Sequence, residues 1–273
     1  MKILLTNDDG IEAPGLWAAA SALRRVGDVC VVAPHEERSG VGSALTLRAP
    51  IKVSEVPADG RLQADSADGA PVGFSVKAFA VEGTPADSCI LALEKLVGKV
   101  DLVVSGINAG SNVGWDIMVS GTVGAALQGY FRGYPTIAIS VGGVRNPLFE
   151  GAARLLGLMA ARLNENSAQE ALLLNINVPN VPVDQIAGLQ VTRLGGRSYG
   201  ESVREEMTGP GKQYKIDRNV PIGSGAPEGT DIWALKNNHV SVTPLQVTLG
   251  HMEQTGQVES LVSGIIGQLA LDD

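Results

Sequence analysis

The chain has 273 residues, 44% of them hydrophobic and 4% aromatic, with 34 glycines and a formal net charge of -8. This length suits one large α/β domain or a domain with an appendage. An acidic chain without a dense Lys/Arg block is a poor partner for duplex nucleic acid, the few aromatics argue against a base-stacking surface, and no apolar run reaches the ~18 residues of a membrane span.

Residues 2–6 read as a buried strand that ends in Asn7-Asp8-Asp9-Gly10. A helix over 14–26 follows, with Pro14 at its first position, Leu16, Ala19, Ala20 and Leu23 on one face, and Gly27 as its stop. Residues 28–33 form a second buried strand, closed by Pro34. Segment 44–56 alternates like a hairpin arm, and 58–73 reads as polar loop. Thr84-Pro85 opens a helix, with Thr84 as N-cap, Asp87 in the first turn, and Ile90, Leu93 and Val97 on the apolar face. Strands over 101–105, 136–141 and 171–176 alternate with helices over 122–132 and 148–163, which implies a parallel sheet with right-handed crossovers.

From residue 188 the pattern changes. Residues 188–194 and 240–247 read as strands, with a weaker run near 214–216, while 196–212 and 219–231 read as loop. The division expected is a core over 1–187 and, over 188–273, an extended β arm that needs a partner subunit to cover it. The tail 257–270 returns to helical spacing. Cys30 and Cys89 read as small buried apolar residues with no metal-type spacing. No leader precedes the first strand, and with no membrane span this points to the cytoplasm.

In open α/β sheets, ligands bind beyond the carboxyl ends of the strands. Three polar loops fall there: Asn7–Gly10, His35–Gly40 and Ser105–Asn112. Dinucleotide folds place glycines after the first strand; here two carboxylates stand there, and no Gly-x-Gly-x-x-Gly follows, which disfavours a nicotinamide enzyme. Two like charges at 4 Å repel by about 4 kcal/mol at an effective dielectric of 20, and a divalent cation removes that conflict. Asp8, Asp9, Ser39 and Asn108 offer an all-oxygen donor set, which suits Mg²⁺ or Mn²⁺. Asn112, Ser120, Gly121 and Thr122, with the N-terminus of the helix over 122–132, are candidates for holding phosphate oxygens. His35 and Arg38 are weak candidates for the pocket, Trp17 and Trp115 read as packing residues, and Asp231 reads as a turn residue.

The segments Ile3–Gly10, Val32-Ala33-Pro34, Arg38-Ser39-Gly40, Gly83–Asp87, Ser105-Gly106-Ile107-Asn108, Ser120-Gly121-Thr122-Val123, Asn175–Pro179, Gly229-Thr230-Asp231 and Ser241–Leu245 occur in an order that resembles the SurE family, the survival-protein 5′(3′)-nucleotidases. The resemblance spans nearly the whole chain. One departure is Ser88, which stands between the Thr-Pro-x-Asp turn and Cys89, where many members place Cys directly.

The resemblance implies a metal-dependent phosphatase acting on nucleoside monophosphates, and in some members on short polyphosphate. It implies one Mg²⁺ or Mn²⁺ per subunit at Asp8, Asp9, Ser39 and Asn108, and a phosphate bordered by Asn112, Ser120, Gly121 and Thr122. It also implies a Rossmann-like three-layer core with a protruding β-hairpin and an exchanged C-terminal helix, in dimers or tetramers. Asp8, Asp9 and Asn108 are the catalytic candidates, and which aspartate activates water stays open. The alternative is a metal-dependent nucleotide-binding regulatory module that does not hydrolyse its ligand.

Overall fold

The apolar run after Met1 forms β1 (Lys2–Thr6), in which only Lys2 is exposed. In this computed structural model, residues 1–62, 74–165, 171–196, 199–208, 211–221, 226–248 and 255–263 are described. α1 (Pro14–Leu23) follows, then β2 (Asp28–Pro34), β3 (Val53–Val56), β4 (Val76–Val81) and α2 (Pro85–Leu91). Next come β5 (Leu102–Ala109), α3 (Gly121–Tyr130), β6 (Thr136–Val141), α4 (Phe149–Glu165), β7 (Leu173–Val178) and β8 (Gly188–Val191). The chain continues through β9 (Tyr199–Thr208), β10 (Gly211–Pro221), α5 (Asp231–Lys236), β11 (His239–Pro244) and α6 (Thr255–Val262).

Nine of these strands form one sheet in the order β3-β4-β2-β1-β5-β6-β7-β11-β8. The six from β4 to β7 are mutually parallel, while β3 and β11 run antiparallel to β4 and β7. Alternate residues of β1 explain the three layers: Ile3 and Leu5 enter the core under α1 and α4, and Leu4 enters the core on the opposite side, with Cys89 of α2 and Ala125 of α3. Cys30 and Cys89 are free and buried, as their apolar setting suggests.

The α/β class and the mostly parallel sheet follow the sequence reading, and several elements differ. α1 stops at Leu23, where Arg24 bonds back to Ala20, short of the expected residue 26. Over 44–52 the chain is not a strand; Thr46 is held by Asp87 through its N–H at 3.0 Å and its hydroxyl at 2.6 Å. β4 is an additional strand. The expected loop over 196–212 carries β9, which pairs with β10 in a separate hairpin whose described side chains are all exposed. With both faces in water, that hairpin has no apolar alternation to read. β8 and β11, both beyond residue 188, extend the core sheet itself. The expected loop over 58–73 and the helical tail over 257–270 lie partly outside the described residues.

Candidate active site

Four segments meet at the carboxyl edge of the central strands. The first is the turn after β1. Asn7 Nδ2 donates to the Gly10 carbonyl at 2.9 Å, and Gly10 has φ +96°, a conformation that favours glycine. A Cβ there would stand 3.0 Å from the Glu36 carbonyl carbon, so the turn lies directly against the loop after β2. Two backbone bonds stitch these segments together: Ile11 N–H to the Pro34 carbonyl at 2.8 Å, and Arg38 N–H to the Asp8 carbonyl at 2.7 Å. Ser39 is the next residue in the chain after that second bond. Ser39 is exposed, and its Oγ donates to Glu37 Oε1 at 2.9 Å.

The third segment is the end of β5. The strand runs to Ala109, past the expected stop at 105, with an irregularity between Ser105 and Asn108 in its pairing with β6. Asn108 therefore lies on the strand end. The Ala109 N–H donates to Asp9 Oδ2 at 3.1 Å. Asn108 Nδ2 donates to the Gly110 carbonyl at 2.7 Å, which leaves Asn108 Oδ1 as its acceptor.

The fourth is the N-terminus of α3. Ser120 is the N-cap, its Oγ accepting from the Val123 N–H at 3.1 Å. The Gly121 and Thr122 N–H groups have no partner within the helix, so this end attracts anions. Thr122 is fully buried, and its Oγ1 donates to Asp8 Oδ1 at 2.6 Å. Thr122 is thus committed to the aspartate through its hydroxyl and its backbone N–H alike. A Cβ on Gly121 would lie 2.7 Å from Asp8 Cβ, so the helix end and the aspartate touch because residue 121 has no side chain.

Burial pushes the Asp8 carboxyl above its ordinary value, and the Thr122 hydrogen bond opposes that shift. Burial, with the Asp8 charge next, pushes Asp9 up to about 6. Glu37 raises both further, a third carboxylate that sequence reasoning did not single out. Two crowded carboxylates resisting ionisation are the setting a cation relieves. The donor chemistry fits a hard divalent ion: carboxylates on Asp8 and Asp9, a hydroxyl on Ser39 and the amide oxygen of Asn108. Asn7 Oδ1, one residue away, is buried without a hydrogen-bond partner. No group of three His, Cys, Asp or Glu side chains forms a metal site among the described residues, consistent with only two carboxylates in the set.

The remaining candidates fall as follows. The Asn112 N–H donates to Asn177 Oδ1 at 2.8 Å, and Asn112 Nδ2 donates to Ser140 Oγ at 3.0 Å. Arg38 pairs with Glu36 at 2.7 Å, and His35 is exposed, its N–H donating to the Val81 carbonyl. Trp17 packs as expected, its indole donating to the Ile11 carbonyl at 2.7 Å; Trp115, by contrast, is 63% exposed. Asp231 is no surface turn residue. It is fully buried and accepts from the N–H groups of Gly114 at 2.7 Å, and of Gly195 and Ile232 at 2.8 Å each.

The family model described as Survival protein SurE matches residues 3–201. This chain belongs to the SurE family. Its similarity to known SurE proteins extends well past the matched segment. The protein named 5′-nucleotidase SurE from Dehalococcoides mccartyi is 42% identical over 252 residues, 91% of this chain and 90% of that one. The 5′-nucleotidase SurE of Legionella pneumophila is 39% identical over 265 residues, 97% and 98% of the two chains. The crystal structure of the SurE protein from Aquifex aeolicus superposes with a TM-score of 0.77 at 37% identity, covering 96% of this chain and 99% of that one.

Proposed function

We propose that this SurE chain is a divalent-metal-dependent phosphomonoesterase that hydrolyses nucleoside 5′-monophosphates to nucleoside and phosphate, with activity on 3′-monophosphates and short polyphosphate. The observation that carries the reading is the contact between Asp8 and the start of α3, which puts a cation-binding carboxylate pair beside an anion-binding helix end. Relatives about 40% identical over nine-tenths of the chain are named 5′-nucleotidases, which supports the same reading.

Asp8, Asp9, Ser39 and Asn108 would hold one Mg²⁺ or Mn²⁺, which when bound supplies charge neutralisation and Lewis-acid polarisation of the phosphoryl group. Ser120 and the Gly121 N–H bind phosphate oxygens, with Thr122 and Asn112 beside them. Asp9 is the better base of the pair. Asp8 accepts from the Thr122 hydroxyl and from backbone N–H groups besides, whereas Asp9 accepts from the Ala109 N–H. The water proton passes to the free Asp9 oxygen.

The arm and α6 serve self-association in this reading. Val203 and Ile216 pair across the hairpin and, with Tyr214, Val258 and Leu261, are exposed. A homodimer or homotetramer would cover them. The 188–273 segment then divides in role, β8 and β11 completing the sheet and the hairpin and α6 binding a second copy. The setting proposed is cytoplasmic. Among the described residues no helix is long and apolar enough to cross a membrane.

A panel of 5′- and 3′-nucleoside monophosphates and tripolyphosphate, assayed for released phosphate with Mn²⁺ or Mg²⁺, tests the activity. Release from 5′-monophosphates is expected. Tight binding of a nucleotide with no phosphate released would replace the phosphatase with a regulatory binding module.

A further inference from the structure

The loop from Asn108 to Trp115 is pinned piece by piece, each piece by a different part of the fold. Asn108 and Ala109 pair with Ser140 and Val141 of β6, and the Gly110 N–H donates to the Val141 carbonyl at 3.0 Å. β7 holds Asn112 instead: Asn177 Oδ1 accepts from its N–H at 2.8 Å, while Asn175 Nδ2 and Asn177 Nδ2 donate to its carbonyl at 2.8 and 2.9 Å. Asp231 then takes the Gly114 N–H, and the Gly196 carbonyl takes the Trp115 N–H. One asparagine amide thus pairs with both backbone groups of Asn112, as a neighbouring strand would. Its orientation is fixed, because a backbone N–H only donates and a carbonyl only accepts. The same reasoning points Asn175 Nδ2 at the carbonyl and leaves Asn175 Oδ1 buried without a partner.

Both asparagines are fully buried on the α3 face of β7, where Leu173 joins Val123 and Ala126 of α3 in one apolar cluster. Ile176 and Val178 enter the core on the other face. β7 lies between β6 and β11, with Asn177 opposite Ser140 and Ser241, so the strand beneath the two amides is fixed on both sides. An amide buried with an orphaned oxygen is a poorer core residue than leucine. What the pair does hold is Asn112. The candidate cation ligands have other anchors: Asn108 pairs on β6, the Asp8 carbonyl accepts from the Arg38 N–H, and the Asp9 carboxylate accepts from the Ala109 N–H. We propose that Asn177, with Asn175, is a positioning residue for the phosphate half of the site alone. It sets the place of Asn112, and the cation half is anchored without it. The inference rests on the phosphatase reading above, in which Asn108 holds the cation and Asn112 stands beside the phosphate.

The test uses the full chain. Mn²⁺ is titrated calorimetrically into metal-free protein, inorganic phosphate is titrated into the Mn²⁺-loaded protein, and KM is measured on a nucleoside 5′-monophosphate. Asn177→Ala removes two of the three bonds on the Asn112 peptide, and its phosphate affinity should fall roughly 10- to 50-fold, with KM rising in step. Its Mn²⁺ affinity should stay within about 2-fold of wild type, a split that a general loosening of the fold does not produce. Asn175→Leu, close in shape, removes one bond together with the orphaned oxygen. It should fold as well as wild type and lose roughly 3- to 10-fold in phosphate affinity, again with Mn²⁺ affinity unchanged. A folded Asn177→Ala with wild-type phosphate affinity overturns the proposal. So does a loss of Mn²⁺ affinity that matches the loss of phosphate affinity, because β7 then supports the site as a whole. Should Asn177→Ala fail to fold, Asn175→Leu decides by the same two affinities. A Mn²⁺-loaded wild type that takes up no phosphate overturns the proposal as well. A wild type that binds both and releases no phosphate from the nucleotide sinks the phosphatase reading and leaves this one standing.

Discussion

At the scale of single residues, the site balances two carboxylates that resist ionisation. Burial and then the Asp8 charge push Asp9 up to about 6, above its ordinary 3.8. A carboxyl raised by folding stabilises the fold while protonated, and that contribution is lost as pH rises through the folded value. Metal-free protein should therefore lose stability between about pH 4 and 6 relative to Asp9→Asn, and Mn²⁺ should restore the wild type above that range. Thermal melts of both proteins with and without Mn²⁺ check this; parallel pH profiles for the two would contradict it. Mn²⁺ affinity should weaken as pH falls through about 6, as protons compete for the ligand. Gly121→Ala sets a methyl 2.7 Å from Asp8 Cβ. Since neither the helix end nor β1 can retreat, Mn²⁺ affinity should fall at least tenfold while the helical content by circular dichroism stays near wild type. The sequence placed Asp8, Asp9 and Asn108 at strand ends, and the structure joins those strand ends through the bond from Ala109 to Asp9. The partner of Thr122 was not legible there, because Asp8 lies 114 residues away in sequence and nothing local marks the contact.

At the scale of elements, the readable parts were those with a periodic buried face. β1, β2, β5, β6 and β7 are near-continuous apolar runs because helices cover both sides of the sheet. α2 was legible from its cap: Thr84 and Asp87 form the reciprocal capping box. β4 escaped because it follows a long polar stretch and carries the exposed Lys77 as its second residue. The hairpin of β9 and β10 escaped because it rests on cross-strand pairs between solvated side chains, such as Lys212 with Glu205 at 2.9 Å. The resemblance to SurE proteins anticipated that hairpin, where periodicity did not. Asp231 is the element-scale join. It ties the start of α5, the stretch before the hairpin and the loop between Asn112 and Ser120 into one knot. Asp231→Ala strands buried N–H groups of Gly114 and Gly195 and should cost roughly 2–4 kcal/mol in urea unfolding. A change under 0.5 kcal/mol would mean that water replaces the carboxylate at no loss.

At the scale of the molecule, the sheet does two jobs with one edge. Its parallel centre brings four loops to the carboxyl ends of β1, β2, β5 and the start of α3, and the packed helices on both faces hold them there. The hairpin and α6 carry exposed apolar side chains, which in this account meet a second copy. The central claim is that the loops form a metal-dependent phosphatase. It is tested most directly by stripping the purified protein with EDTA, restoring Mn²⁺ or Mg²⁺, and measuring phosphate released from a nucleoside 5′-monophosphate by wild type and Asp9→Asn. The account predicts no release after EDTA, recovery with metal in the wild type, and turnover lower by about 10²- to 10⁴-fold in Asp9→Asn. Full activity in EDTA, or an Asp9→Asn variant as fast as wild type at saturating metal, would contradict it.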